Sequence, residues 1–561
     1  MADLKVLTFN ALLNNSAKLY SDNVALSYIG QKPLTYRDVK SLSDNLSLFL
    51  AKKGIKKGDK VALLGPNMPN WGVTYLGVTG MGAVIVPILT EFSGVEIKKI
   101  LEHSEAKAII VSDKLTDTLK GNIPENVYVS VILETFQEIN TYALNIEGKA
   151  ELSTEDNKGF EGIELSVPEE NDLAAILYTS GTTGNPKGVM LSHLNIVSNA
   201  VNTIMHIQKV TETDRMLSVL PLSHTYECTI GLIIPMMTGA SVYYLDKPPT
   251  ASVLLPAMAA LKPTMMLTVP LIIEKVYKVQ VLPKLTKSPV LRTLGKVRFF
   301  KKFFHKLAGK KIYKAFGGNL HFFGIGGAKL DAEVEQFLRD AKFPYAIGYG
   351  LTETSPLLAG CAPSITKLQS TGFNIPGQEM KILDPDPNTG EGEIVAKGPN
   401  VMKGYYKEPE KTREVFTEDG WFKTGDLGAF DEDGYLYIRG RLKNMIIGPS
   451  GENIYPEDIE AVINNQSGVL ESLVFELKGK LVAKVHLNYE EIEHRYQHLK
   501  ESAHNWKDHM QDVVNEKLKE IHQRVNSSIN KFSRINMIVE QQTPFEKTPT
   551  KKIKRFMHMQ H

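Results

Sequence analysis

Apolar residues recur every three or four positions through Val39, Leu42, Leu46 and Leu50, and Gly54 with Gly58-Asp59 ends the run. This period predicts an amphipathic helix opening at Tyr36. Short apolar runs follow at 60–64, 83–88, 108–111 and 127–133, and each reads as a buried strand; 71–80 reads as a helix. Strands alternating with helices predict an α/β sheet covered on both faces. A polar connection over 145–171 leads to two more strands, 173–177 and 189–191. The same rhythm continues to about 360, with strands expected at 215–220, 320–323 and 345–347. From 361 to 439 the runs shorten. Those at 392–397 and 434–438 alternate with Gly372, Gly377, Asp384-Pro385 and Asn388-Thr389-Gly390, which predicts a small β-rich unit. Pro456, followed by Glu457 and Asp458, opens a helix in the last stretch. Residues 489–526 read as a helical insert rich in His, Glu and Lys, with no function assigned.

Composition changes this picture little. A length of 561 residues argues for several domains, and 42% hydrophobic with 23% charged residues is a globular composition. The net charge of +2 gives no case for a nucleic-acid partner. Cys228 and Cys361 lie far apart without ligand spacing, which fits idle thiols in a reducing cytosol. The first residues lack the apolar core of a signal peptide. No window holds about twenty uninterrupted apolar residues, so no transmembrane helix is expected. The expected location is the cytoplasm.

Candidate chemistry begins at residues 178–188, YTSGTTGNPKG. Glycines let backbone N–H groups approach an anion closely, and hydroxyls with Lys187 add donors and charge. An ordinary hairpin turn would use Gly, Asn and Pro, but it does not need Thr179, Ser180, Thr182, Thr183 and Lys187 together. The loop fails as a Walker A motif, because Pro186 replaces the second Gly and Gly188 stands where Ser or Thr is required.

Further signals lie at strand ends, where α/β folds carry their chemistry. Pro221-Leu222-Ser223-His224 ends one strand; a structural histidine is the plain alternative for His224. Gly326, Gly327 and Ala328 allow a flat ring to lie against backbone, and Tyr349 can stack on it. After Gly350, Thr352 can bond a phosphate and Glu353 can hold Mg2+, a hard cation that prefers oxygen. Asp426, in Trp421-Phe422-Lys423-Thr424-Gly425-Asp426, can accept two ribose hydroxyls.

The loop 178–188 resembles the signature of adenylate-forming enzymes, which include acyl-CoA synthetases, peptide-synthetase adenylation domains and luciferases. The later strings resemble that family's motifs in the family's order, so the likeness runs from 178 to 555. It implies that Thr179, Ser180, Gly181, Thr182, Thr183, Gly184 and Lys187 bind ATP phosphates. It places Gly327, Ala328, Tyr349, Gly350 and Thr352 around adenine and phosphate, and His224 by the acyl group. Glu353 and Thr182 would hold Mg2+; Asp426, Ile438 and Arg441 would take the ribose and phosphate. The resemblance implies an N-terminal region 1–440, built of α/β units 1–190 and 191–360 and a β-rich unit 361–440. A mobile α+β domain 441–561 would follow, hinged near Lys443. Gly451, Glu452 and Asn453 fall in the loop that serves the thiol step. Lys552, in the basic tail 547–555, aligns with the lysine that binds carboxylate and α-phosphate. Lys551 stands where the family has Gly, so Lys551 remains an alternative, as does a solvated tail.

The implied activity has two halves. A carboxylate attacks the α-phosphate of ATP to give an acyl-adenylate, and coenzyme A then takes the acyl group. Residues 270–277 and the segment after them look like the long-chain fatty acyl-CoA synthetases. Residues 274–314 hold thirteen Lys or Arg against one acid, Glu274, with Phe299, Phe300, Phe303, Phe304 and Leu307 at helical spacing. Two readings stand side by side. The Phe face packs into the core, or it meets an anionic membrane surface or an acidic acyl-carrier protein.

Overall fold

The computed structural model describes residues 4–141, 144, 160, 162–179, 187–207, 209–286, 297–448, 453–492, 506–548 and 553–559. Most of the polar connection 145–171 lies outside them.

The expected α/β architecture is present as two large sheets. The first has eight strands, in spatial order Gly404–Tyr405, Lys187–Ser192, Leu173–Thr179, Val84–Ile88, Lys60–Leu64, Ala106–Val111, Val129–Ile132 and Glu138–Ile139. Its central strands are parallel. All five residues of Val84–Ile88 are buried, as befits a strand covered on both faces. The covering helix Tyr36–Lys52 begins where the apolar period predicts. A capping box fixes its start: the Thr35 hydroxyl takes the Asp38 N–H and the Asp38 carboxylate takes the Thr35 N–H. Helix Pro69–Gly80 starts two residues earlier than expected, with proline in its first turn and Trp71 fully buried.

The second sheet has seven strands, ordered Tyr345–Ile347, Phe322–Ile325, Met265–Thr268, Arg215–Ser218, Ser241–Tyr244, Val24–Tyr28 and Leu34–Thr35. Residues 24–35 therefore complete a sheet made mostly from the 215–347 stretch. The strands from Tyr345–Ile347 to Arg215–Ser218 run parallel, so Ser218, Thr268, Ile325 and Ile347 end on one edge.

Three strands differ from expectation in their limits. The run at 320–323 is a strand at Phe322–Ile325, because Phe322 to Ile325 pair with Met265 to Thr268 and Gly324 stays inside the ladder. The run at 215–220 leaves the sheet after Ser218. The run at 434–438 begins at Leu436, after a turn closed by Gly434 N–H to Asp431, and continues to Arg441. That strand is the edge of a four-stranded antiparallel sheet with Glu379–Leu383, Gly392–Lys397 and Phe422–Phe430.

The last stretch folds on a three-stranded sheet, Val469–Leu477, Lys480–Leu487 and Met537–Glu540, with helix Pro456–Asn464 against it. The segment read as an insert supplies helix Trp506–Ser528. Val513, Val514, Leu518, Ile521 and Val525 on it are buried with Ile459, Ile463 and Val485. It is thus a core element, and its His, Glu and Lys residues had obscured that apolar face. Among the described residues no helix is long and apolar enough to cross a membrane.

Candidate active site

Strands Leu173–Thr179 and Lys187–Ser192 form an antiparallel hairpin in which Thr179 faces Lys187. The loop is therefore a hairpin connection, and both of its ends are fixed by the sheet. Ser180, Gly181, Thr182, Thr183 and Gly184 lie outside the described residues, as do Gly451, Glu452, Lys551 and Lys552.

Lys187 leads to a residue that the sequence reading missed. Its Nζ sits 4.9 Å from the centre of the Tyr405 ring. The Tyr405 hydroxyl donates to Glu353 Oε1 at 3.0 Å. Burial and the facing Glu353 push the Tyr405 phenol well up, so it remains a donor. Strand Gly404–Tyr405 reaches this place by pairing with Lys187–Ser192 at the edge of the eight-stranded sheet. An aromatic after glycine in a polar stretch was the only sequence signal available.

Glu353 lies in a single helical turn, Thr352–Thr354, braced on several sides. Met402 N–H donates to Glu353 O, Asn400 Nδ2 to Thr354 O, and Thr229 Oγ1 to Ser355 O. Gly350 precedes the turn because a Cβ there would lie 1.8 Å from the Pro356 carbonyl oxygen.

A second group forms across the four-stranded sheet. Asp426 pairs in register with Arg441. Its Oδ1 lies 2.8 Å from Arg441 Nε, and its Oδ2 accepts the Tyr349 hydroxyl at 2.8 Å. Burial, then the Asp426 charge, push the Tyr349 phenol well up. The Tyr349 ring packs against Ala359, Ile394 and Leu436, with half-buried Ile438 on the same cluster. Arg441 is exposed beyond the carboxylate, and Lys443 is exposed two residues on.

His224 stands half-buried at the carboxyl edge of the seven-stranded sheet, after Ser218. Asn67, also absent from the sequence reading, shapes this approach. Its Nδ2 donates to Ser218 Oγ at 2.9 Å and Leu220 O at 2.6 Å, and its Oδ1 accepts Leu222 N–H at 2.9 Å. Asn67 follows strand Lys60–Leu64, so it links the two large sheets. Beyond His224 the chain winds into the π-helical stretch Tyr226–Ile233. Tyr226 covers both Gly324 and Gly326: a Cβ on Gly326 would lie 3.0 Å from its ring, and one on Gly324 would lie 3.0 Å from its hydroxyl oxygen. Gly327 adopts φ +87°, and Ala328 follows on the same strand-end loop. Lys329, next in line, reaches Asp458 of helix Pro456–Asn464 at 2.6 Å. Asn453 is exposed and pairs with Ile447.

Glu227, in the π-helical stretch Tyr226–Ile233, is fully buried. Its carboxyl faces the Ser218 hydroxyl and the Val219 amide without closing a hydrogen bond to either. Burial pushes it up to about 8. Between the ordinary carboxylate range and that value, the unfolded chain ionises this group while the folded chain keeps it protonated. The folded state therefore loses stability as pH rises across the interval. Glu227→Gln is expected to raise the melting temperature above the parent's at pH 8 and to leave no gap near pH 4. A gap independent of pH would show that Glu227 does not titrate in this way.

Among the described residues no three His, Cys, Asp or Glu side chains group as metal ligands. Glu353 offers a carboxylate bonded to Tyr405, whose ring lies under Lys187. One carboxylate plus substrate phosphates is a normal environment for Mg2+.

The described residues thus bring Lys187, Tyr405 and Glu353 together in one group and Tyr349, Asp426 and Arg441 in another. The family model described as AMP-binding enzyme matches residues 13–406. A long-chain-fatty-acid–CoA ligase of Mycobacterium bovis is 30% identical over 441 residues, 74% of this chain and 70% of that protein. A 4-coumarate–CoA ligase of Vanilla planifolia is 29% identical over 84% of this chain and 81% of its own. A chloroplastic long-chain-fatty-acid–[acyl-carrier-protein] ligase of Arabidopsis thaliana is 30% identical over 82% and 73%. ATP-bound MatB from Rhodopseudomonas palustris aligns over 98% of both chains with a TM-score of 0.76 at 23% identity, a likeness of fold. From the match over residues 13–406 and these identities, the chain belongs to the AMP-binding enzyme family.

Proposed function

We propose that this chain is an AMP-forming acid–thiol ligase that activates a long-chain fatty acid and passes it to coenzyme A. Family membership supports the ligase chemistry. The observation that carries the nucleotide role is Asp426 held between Tyr349 and Arg441, with a carboxylate edge suited to ribose hydroxyls.

The first half-reaction brings together two anions, a carboxylate and a triphosphate. Lys187, Lys552 and the loop N–H groups and hydroxyls offset that repulsion and steady the charge that develops on phosphorus. Glu353 and Thr182 would hold Mg2+ beside the phosphates, where the ion would supply further charge neutralisation. Pyrophosphate leaves, and the acyl-adenylate remains. In the second half the thiol attacks the acyl carbon, and AMP departs with the electron pair of the broken bond. A hinge at Lys443 lets the domain 441–561 present Lys552 first and the 451–453 loop second. The Lys329–Asp458 ion pair at 2.6 Å is a contact that such a rotation would make or break.

A fatty acyl chain would need an apolar tunnel, in which each buried methylene contributes about 0.8 kcal/mol. The second reading is an aromatic acid, favoured by the Tyr226 ring filling the space above Gly324 and Gly326. An acyl-carrier protein is the alternative acceptor. Steady-state assays with acids from acetate to oleate and 4-coumarate, each with coenzyme A or carrier protein, decide between them. The proposal expects kcat/KM to climb with chain length and the thioester to form on coenzyme A. A preference for 4-coumarate, or transfer only to carrier protein, would replace it.

A further inference from the structure

Helix Arg298–Ala315 has two apolar faces, and among the described residues only one is covered. His305, Gly309 and Ile312 recur at one helical face and point inward. His305 is fully buried, with Nδ1 2.8 Å from Asp340 Oδ2 and its ring edge-on to Phe337. Gly309 is seated so closely that a Cβ would lie 2.3 Å from that of Ala341. These contacts hold the helix rigidly on helix Ala332–Asp340.

The other face is open. Phe299 is 75% exposed, Phe303 52%, Leu307 49% and Phe300 39%. At about 100° per residue these four fall in one arc, opposite the buried three. Lys306, Lys310 and Lys314 are exposed and follow the same side toward the C-terminal end. The reading that packs the Phe face into the core is therefore corrected: the core takes His305, Gly309 and Ile312 instead, because only that side is narrow enough for close approach.

We infer that this face seats on an anionic lipid bilayer. A solvated helix gains nothing from four exposed apolar side chains, whereas a bilayer interface takes rings and aliphatic chains at headgroup depth and attracts the lysines. Charge complementarity points the same way, with thirteen basic residues against one acid over 274–314. The shape decides between partners. Phe299–Phe300 and Phe303–Phe304 contact edge to face at 5.6 and 5.9 Å, so among the described residues the exposed rings stand as a ridge along this one helix. A fluid surface admits a ridge without a matching cleft, whereas a folded acidic protein would need one. The inference rests on the helix alone and holds whichever acid is activated.

The test is co-sedimentation of the full chain with vesicles of phosphatidylcholine, with and without phosphatidylserine. Binding is expected only to the anionic vesicles, and 0.5 M salt should release it. Phe299→Ser with Phe303→Ser, and separately Lys302→Glu with Lys306→Glu and Lys310→Glu, should each weaken binding at least about tenfold. ATP–pyrophosphate exchange by each variant should stay at the parent level and certify its fold. No binding by the parent chain, or equal binding to neutral and anionic vesicles, would overturn the inference. So would parent-level vesicle binding by both variants; if transfer to an acidic carrier protein were lost at the same time, that protein would be the partner instead.

Discussion

Lys552→Ala is expected to slow acyl-adenylate formation about 100- to 1000-fold, the usual consequence of removing one preorganised charge from a developing transition state. The tail around it is held firmly. Lys547 pairs with Ile553 across an isolated bridge and reaches Glu471 at 2.8 Å. Lys554 N–H donates to Glu546 O at 2.8 Å, and Arg555 Nη2 lies 2.6 Å from Glu460. Lys547 and Arg555, on either side of residues 549–552, are thus tied to the C-terminal sheet and its helix. The same variant should convert supplied acyl-adenylate to thioester at nearly the parent rate, since the proposed thiol step draws on the 451–453 loop instead. Lys551→Ala should lose much less in the first step. A reversal of the two variants would move the role to Lys551, and parent-level exchange by both would remove the tail from the chemistry.

Asp426→Ala is expected to raise the KM for ATP by about tenfold to a hundredfold, since each hydrogen bond to a charged group contributes about 1.5–3 kcal/mol. The substitution also takes the partner from both Tyr349 and Arg441. Asp426→Asn separates the two effects. It keeps the shape and one acceptor for Tyr349, but it loses the charge facing Arg441. A KM defect of similar size for ATP and for its 2′,3′-dideoxy analogue would place the Asp426 contribution in local packing rather than in ribose recognition.

These groups were legible in the sequence to different depths. Lys187, Glu353 and Asp426 were legible as side chains suited to phosphate, Mg2+ and ribose, and Arg441 only through the resemblance to adenylate-forming enzymes. The strings could not show which members touch. Tyr405 joins Lys187 to Glu353 only because strand Gly404–Tyr405 crosses to the eight-stranded sheet, a pairing over more than two hundred residues of chain. Asn67 was hidden for the same reason, as its partners lie about 150 positions away.

The fold was legible where the period was strong and less so at strand ends. Helix Tyr36–Lys52 and strands Lys60–Leu64 and Tyr345–Ile347 follow their apolar pattern. The run at 320–323 did not, because parallel pairing with Met265–Thr268 settles its limits. Helix Trp506–Ser528 carries its buried residues among many charges, so its place in the core emerges only from packing. The basic helix Arg298–Ala315 was ambiguous for the opposite reason. Its aromatic face satisfies helical spacing equally well whether it points in or out, and only the close seat at Gly309 decides.

The most direct test of the account is ATP–pyrophosphate exchange by the pure chain across acids from acetate to oleate, with 4-coumarate alongside. The account predicts exchange that requires an acid and grows with chain length. Absence of exchange with every acid, in protein that still binds ATP, would contradict it.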